Sequence, residues 1–300
     1  MLSIEDFHPV KLEDKKIFDQ HYKKFPPLHS DNVFTTIVSW KDYIKYFYLL
    51  IDKNLIIMTK KGEDYRFRPP IGKYNKELFK QVFELAIREG SNDPFGVIGT
   101  ETKNWLVTNF PKLKFIPHRD YFDYVYLSSN LATLPGRDYA KIRNRLNKFT
   151  KNHAFITEKI NSKNMGEVKS FLKRWCLWKD CDSDPLLESE KKAILFSIAK
   201  FFELKLSGLA IKINGKIEAI SVFEPMNQDT VVVHYEKGSP YFDGIYKAIN
   251  KETACLIQDK YKFINREQDM GIPGLRKAKM SYRPNHMIKV FHVNKEDIVF

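Results

Sequence analysis

Cysteine is scarce: Cys176, Cys181 and Cys255 make up the whole complement. The number is odd and no CxxC pair occurs, which argues against a disulfide framework or a four-ligand zinc site and fits a reducing compartment. Each is expected to act as a small buried hydrophobe. The histidines show no HxxxH or HExxH spacing, so no metal is expected. No run of about 20 apolar residues exists, so no membrane-spanning segment is expected. The start, MLSIEDFHPVKLEDKK, carries acids early and has no continuous apolar core, unlike a secretory leader. Short-period repeats and low-complexity runs are also missing.

Acidic residues are in deficit. The 37 Asp and Glu face 50 Lys and Arg, for a net charge of +13. A basic surface suits polyanions such as RNA, anionic lipid or a phosphorylated cofactor. A lysine-rich proteome would give the same balance. What the chain has in quantity is aromatic side chains, 23 Phe and 15 Tyr, whose burial offsets chain entropy and argues against disorder. With 300 residues, two domains are the natural expectation. The break at Leu134-Pro135-Gly136 places them at 1–134 and 135–300.

The second half is the more legible. Residues 154–160 suit a strand. Asn164 stands three residues before Glu167, a capping-box spacing, and Val168, Phe171, Leu172 and Trp175 then recur at helical intervals over 165–178. A second helix fits 188–204, with Ile194, Leu195, Ile198, Phe201 and Phe202 inward. Asn214-Gly215 between apolar runs 207–213 and 216–224 is a hairpin signal, because a type I′ turn needs positive φ twice. Strand 230–237, helix 245–259 (Ile245, Ile249, Leu256 and Ile257 on one side), strand 261–266, a short helix 274–282 and strand 286–293 complete the half. The order β-α-α-β-β-β-α-β-α-β is that of a GNAT-type acyltransferase. The first half reads as a looser copy: helix 12–24, strands 43–51 and 54–60 joined through Asp52-Lys53, helix 75–89, strand 95–99, helix 101–109, and strands 113–117 and 121–127. The expected fold class is therefore α/β (α+β), with two tandem GNAT-like domains built on mixed, largely antiparallel sheets flanked by helices.

Three segments could carry chemistry. The densest is NREQDMGIPGLRKAKMSYRP at 265–284. Asn265, Arg266, Glu267, Gln268 and Asp269 leave a strand end, a Gly-Pro-Gly turn containing Gly274 follows, and Arg276, Lys277 and Lys279 ride the first turns of a helix that reaches Tyr282. Cations there oppose the helix dipole, which a bound anion would explain. A salt-bridged cluster with Glu267 and Asp269 is the alternative. Glu267 and Asp269 are the candidate acid–base groups. The second is the strand end His234-Tyr235-Glu236. In a GNAT order the strand before the central helix borders the acyl-donor cleft, which makes Glu236 a further candidate base. Alternation places His234 and Glu236 on one face, where a core-facing or solvated role is the alternative. The third is helix 138–151. Tyr139, Ile142, Leu146 and Phe149 form its apolar stripe, while Arg137, Lys141, Arg143, Arg145 and Lys148 form a basic surface that could track phosphates or anionic headgroups. An ordinary solvated face is the alternative.

Taken together, NREQDMGIPGLRKAKMSYRP, LSSNLATLPGRDYAKIRNRLNKF at 127–149 and RPPIG at 68–72 resemble an uncharacterised bacterial and archaeal family grouped with the catalytic domain of phosphatidylglycerol lysyltransferase. SDNVFTTIVSW at 30–40 and FHPVKLEDKKIF at 7–18 are similar to its amino-terminal half. The resemblance implies tandem GNAT-like domains and kinship with Fem-type transferases. Those relatives move an aminoacyl group from aminoacyl-tRNA to a lipid hydroxyl or a peptide amine. It also implies tRNA or anionic phospholipid as partner, and a cytoplasmic place or one peripheral to the inner membrane face. Two departures stand out. The multi-pass membrane domain of many lipid lysyltransferases is missing, and the turn Lys237-Gly238-Ser239-Pro240-Tyr241-Phe242-Asp243-Gly244 is not the run that holds coenzyme A pyrophosphate. Acetyl-CoA is thereby disfavoured as donor. A CoA-dependent N-acetyltransferase remains one alternative, and a non-catalytic basic module for RNA or anionic membrane is another.

Overall fold

A computed structural model describes residues 2–181 and 183–299. The chain forms two compact units, one of residues 1–122 and 288–300, the other of residues 123–287. This division differs from a break at 134/135. Strand β7 (Asp123–Leu127) is hydrogen-bonded into the second unit's sheet, and helix α5 (Ser128–Thr133) follows it there. Leu134, in the left-handed region at φ 51°, ends that helix rather than a strand.

The first unit carries the sheet order β1-β2-β3-β4-β5-β14-β6. Its strands are β1 (His8–Pro9), β2 (Lys45–Ile51), β3 (Asn54–Lys61), β4 (Asp64–Phe67), β5 (Gly90–Gly99), β6 (Ile116–Pro117) and β14 (Val290–Val293). Its helices are α1 (Lys15–Tyr22), α2 (Phe34–Ser39), α3 (Lys76–Glu89) and α4 (Thr100–Asn109). The β2–β3 turn works as expected, with Asp52 and Lys53 both at positive φ. Helix α3 starts where Asn75 Oδ1 accepts the Glu77 and Leu78 amides, and its Leu78, Phe79, Val82, Phe83, Leu85 and Ala86 are buried. Strand β4 and helix α2 have no counterpart among the sequence expectations; Asp64–Phe67 is too short to show a period.

The second unit carries the order β13-β7-β12-β11-β10-β9-β8. Its remaining strands are β8 (Phe155–Lys159), β9 (Ser207–Ile213), β10 (Lys216–Pro225), β11 (Thr230–Gly238), β12 (Phe263–Asn265) and β13 (His286–Ile288). Its remaining helices are α6 (Ala140–Asn152), α7 (Met165–Lys179), α8 (Pro185–Ala199), α9 (Ile245–Ile257) and α10 (Pro273–Ser281). Asn214 and Gly215 turn the β9–β10 hairpin, both at positive φ. All pairings in this sheet whose direction is defined are antiparallel except β11 with β12. Helices α5, α6 and α9 share one core with the sheet through Leu131, Ile142, Leu146, Phe149, Ile245, Ala248 and Ile249.

Several local expectations change. The single closing strand 286–293 is two strands, β13 in the second sheet and β14 in the first. Asn164 forms no capping box: its Oδ1 accepts the Asn161 amide, and Glu167 reaches Lys212 instead. Leu195, Phe202 and Leu256, expected inward, are 36%, 58% and 40% exposed. No helix among the described residues is long and apolar enough to cross a membrane.

Candidate active site

Strands β11 and β12 run parallel for three pairs, Thr230 with Phe263, Val231 with Ile264 and Val232 with Asn265. After Asn265 the chain leaves the sheet through a turn in which Glu267, Met270 and Gly271 take positive φ. Two ion pairs link the parted segments. Arg266 binds Glu236, and Glu267 binds His234 Nδ1 at 2.8 Å.

The position of His234 comes from a β-bulge. Val222 pairs with Tyr235 and Phe223 with Val233, so His234 is the extra residue of β11. A bulge re-aims a side chain and ends strict alternation. His234 and Glu236, on either side of the buried Tyr235, take different partners. His234 Nε2 meets Glu224 at 2.9 Å, whereas Glu236 accepts from Asn250 of α9 at 3.0 Å. The His234 side chain is 3% exposed. Burial alone would depress the imidazole, but the carboxylates of Glu224 and Glu267 overcome it and hold its pKa at about 9. Burial pushes the Glu267 carboxyl above its ordinary 4.5, against the pull of His234. A single proton between a buried carboxylate of raised pKa and an imidazole is an acid–base arrangement.

The turn that presents Glu267 is fixed on every side. A non-glycine residue at φ 56° is strained by roughly 1–3 kcal/mol and persists where surroundings impose it. Here Asn265 Oδ1 accepts the Glu267 amide at 2.7 Å and Asn265 Nδ2 donates to Asp123 at 2.8 Å. Lys279 Nζ donates to the carbonyls of Arg266, Glu267 and Gln268 at 2.5, 3.1 and 2.6 Å. Burial pulls the Lys279 ammonium down to about 8. Tyrosines add pins: Tyr126 donates to the Lys279 carbonyl at 2.8 Å and Tyr139 to the Tyr282 carbonyl at 3.0 Å. Two cations approach the Tyr282 ring, Arg266 at 4.8 Å and Lys247 at 4.7 Å from its centroid.

Asp269 is fully buried. Arg276 grips both its oxygens, at 2.9 and 2.8 Å, while Tyr124 Oη donates at 2.5 Å and the Gly271 amide at 2.9 Å. Burial favours the neutral acid, yet these donors win and hold the carboxyl far below the usual range. Such a group is a poor base. For Asp269 and Arg276 the geometry is the salt-bridged arrangement, not a catalytic acid with an anion holder. Lys277 and Gly274 are exposed on α10, and Lys279 serves the turn's carbonyls.

Helix α6 matches its pattern. Ile142, Leu146 and Phe149 are buried, and Lys141, Arg145 and Lys148 are exposed. Arg143 is drawn into structure by the carbonyls of Leu134 and Gly136, each at 2.5 Å. Arg145 pairs with Asp243 at 3.0 Å, and Arg137 is exposed at the helix start.

A family model described as phosphatidylglycerol lysyltransferase, C-terminal, matches residues 22–294. The chain belongs to that family. A conserved protein of unknown function from Bacteroides thetaiotaomicron VPI-5482 has a crystal structure with TM-score 0.88. It is 30% identical, and the match covers 96% of this chain and 98% of that one. The structure of L-PGS from Bacillus licheniformis is 15% identical, with TM-score 0.64 over 94% of this chain and 92% of that one, a likeness of fold. An uncharacterised protein of Mycoplasmoides gallisepticum is 25% identical over 183 residues, 59% of this chain and 58% of that protein. The match thus spans less than two thirds of that relative. The expected fold class holds in its architecture: two mixed, largely antiparallel sheets, each with flanking helices.

Sequence reasoning overlooked Glu224, Asn250, Lys247, Asp123 and the tyrosines of β7. Glu224 had a signal, a lone acid inside the apolar run SVFEP. The tyrosines had one too, in the alternation of DYVYL. Asn250 and Lys247 sit on α9 among apolar neighbours and gave none.

Proposed function

We propose that the protein is an aminoacyltransferase that takes an aminoacyl group from aminoacyl-tRNA and places it on a lipid hydroxyl or an amine. The observation that carries this reading is the chain Glu224–His234–Glu267 at the point where β11 and β12 part. Family membership supports the reaction class, since the family is described by a lysyltransferase. In this reading Glu267 takes the proton from the attacking hydroxyl or amine and returns it to the departing ribose oxygen of the tRNA as the aminoacyl ester bond breaks. His234, held by Glu224, orients the Glu267 carboxylate. Lys279 is a positioning residue, because it fixes the turn through three carbonyls. Glu236, tied to Arg266 and Asn250, aligns the neighbouring segment.

The polyanion partner is assigned to α6, whose Lys141, Arg145 and Lys148 form an exposed cationic line. A tRNA donor also places the protein in the cytoplasm, with the inner membrane face in reach for a lipid acceptor. A coenzyme A donor is the weaker reading. Asp243, 58% exposed in its side chain, stands directly before α9, where a pyrophosphate would need free amides.

The test is transfer of label from charged tRNA to phosphatidylglycerol vesicles and, separately, to an amine acceptor. The reading expects transfer to at least one acceptor with no gain from acetyl-CoA. Label transfer from acetyl-CoA alone would replace it with the N-acetyltransferase reading.

A further inference from the structure

The first unit contains a buried cation that the transferase reading does not use. Arg68, at the start of RPPIG, is 7% exposed. Its Nη1 donates to the Asp31 carbonyl at 2.6 Å and to Asn32 Oδ1 at 2.9 Å. Its guanidinium lies 5.4 Å from the Tyr46 ring centroid and hydrogen-bonds the Tyr46 hydroxyl. All these partners are neutral, and no carboxylate comes within ion-pair distance of Arg68 among the described residues. A buried charge without a counter-charge is costly. The Arg68 bonds to Asp31 and Asn32 leave from Nη1 and a further one joins it to the Tyr46 hydroxyl, and none of these neutral partners supplies the counter-charge that a guanidinium finds in an oxyanion.

The surroundings supply donors. Burial pushes the Tyr46 hydroxyl up to about 12, and burial with the Asp31 charge raises that of Tyr121, so both keep their protons for donation. Tyr43 and Tyr121, 38% and 37% exposed, give access from solvent, and Lys61 stands 4.0 Å from the Tyr43 ring. Asp31 is the acid of the cluster, with Oδ2 3.8 Å from His29 Nδ1. Arg66 and Asp93 neutralise each other at 2.7 Å.

We propose that the first unit holds a phosphate-binding site centred on Arg68, for the phosphate group of a small ester or for free phosphate. Donors of several kinds around one guanidinium suit a tetrahedral oxyanion better than a planar carboxylate. The site is independent of the acid–base centre in the second unit, and its failure would leave that reading untouched.

The test is calorimetric titration of the full chain with inorganic phosphate, glycerol phosphate and acetate. It is done in a Lys141→Ala/Arg145→Ala/Lys148→Ala background to silence α6. Saturable phosphate binding is expected, weakened about tenfold or more by Arg68→Gln, as for removal of a charge-assisted hydrogen bond, and severalfold by Tyr121→Phe. Tighter binding of glycerol phosphate than of inorganic phosphate would identify an ester as the ligand, and the reverse order free phosphate. Should Arg68→Gln fail to fold, Tyr43→Phe and Tyr121→Phe, both at exposed positions, decide the matter alone. No saturable binding, equal binding of acetate, or binding unchanged in the folded variants would overturn the proposal and leave Arg68 as a cross-link between residues 31–32 and the sheet.

Discussion

Glu267 reaches His234 at 2.8 Å across the point where β11 and β12 stop pairing. Neither residue is there by regular secondary structure. One is the extra residue of a β-bulge, and the other holds a positive φ. Two irregularities that meet in one ion pair point to chemistry, since strain collects at functional sites.

The ion pair has a defined dependence on pH. The folded pKa of His234, about 9, lies above its ordinary 6.5, so its stabilisation is fully present below about 6.5 and is lost as pH rises through 9. A shift of this size in a buried group corresponds to roughly 3 kcal/mol. Denaturant titrations of the parent and of His234→Gln should differ most near pH 6 and converge above pH 9. Lys279 opposes this trend, because its folded value of about 8 is lower than its ordinary one and stability rises as it deprotonates. A gap between parent and variant that stays constant from pH 6 to 10 would show that His234 carries no bound proton.

Asp269 should behave as a structural acid. Removing one member of a buried ion pair leaves the other charge uncompensated and costs about 3–5 kcal/mol. Asp269→Asn is expected to lose stability on that order in urea unfolding at pH 7. Because its carboxyl is held far below the usual range, its stabilisation is present above the ordinary value near 4 and disappears as pH falls below it. The gap between parent and variant should therefore shrink on acidification. A variant of parental stability at pH 7 would remove the buried pair from the account.

On α6, every phosphate left without its cation should reduce the salt dependence of tRNA binding. The slope of log affinity against log salt changes by about 0.9 per neutralised phosphate on a duplex and about 0.7 on a single strand. Lys141→Ala/Arg145→Ala/Lys148→Ala should flatten the slope by about two to three such steps with the melting temperature preserved. An unchanged slope would make this an ordinary solvated face.

Much of this is legible in the sequence. Asn214-Gly215 announces its hairpin, the stripe Ile142, Leu146 and Phe149 announces α6, and the polar density of 265–284 marks the segment that holds the candidate base Glu267. Three features are not legible, for physical reasons. A bulge at His234 depends on how two strands register, which the period of β11 alone cannot show. The separation of Glu267 from Asp269 is set by partners remote in sequence, Tyr124 and His234. The unit boundary depends on the sheet that β7 and β14 each join, and short strands have little pattern of their own. In Arg276 the sequence holds two readings, anion holder or ion-pair partner, and the fork to Asp269 favours the second.

The pH–rate profile should reflect the coupled pair Glu267–His234. An ascending limb above the ordinary carboxyl value of 4.5 and a descending limb near 9 are expected, both belonging to the pair as a whole. Rates that climb steadily through pH 10 would argue for a base other than Glu267.

The most direct measurement is the rate of aminoacyl transfer by Glu267→Gln, taken on the same preparation as its melting temperature. Glutamine keeps the shape and most hydrogen bonding of the side chain but cannot accept the proton. Loss of a positioned acid–base group typically slows turnover by about 100- to 10,000-fold. The account predicts a loss in that range in a protein that melts near the parental temperature. A parental rate in a protein that melts earlier would contradict it and make Glu224–His234–Glu267 a structural ion-pair chain.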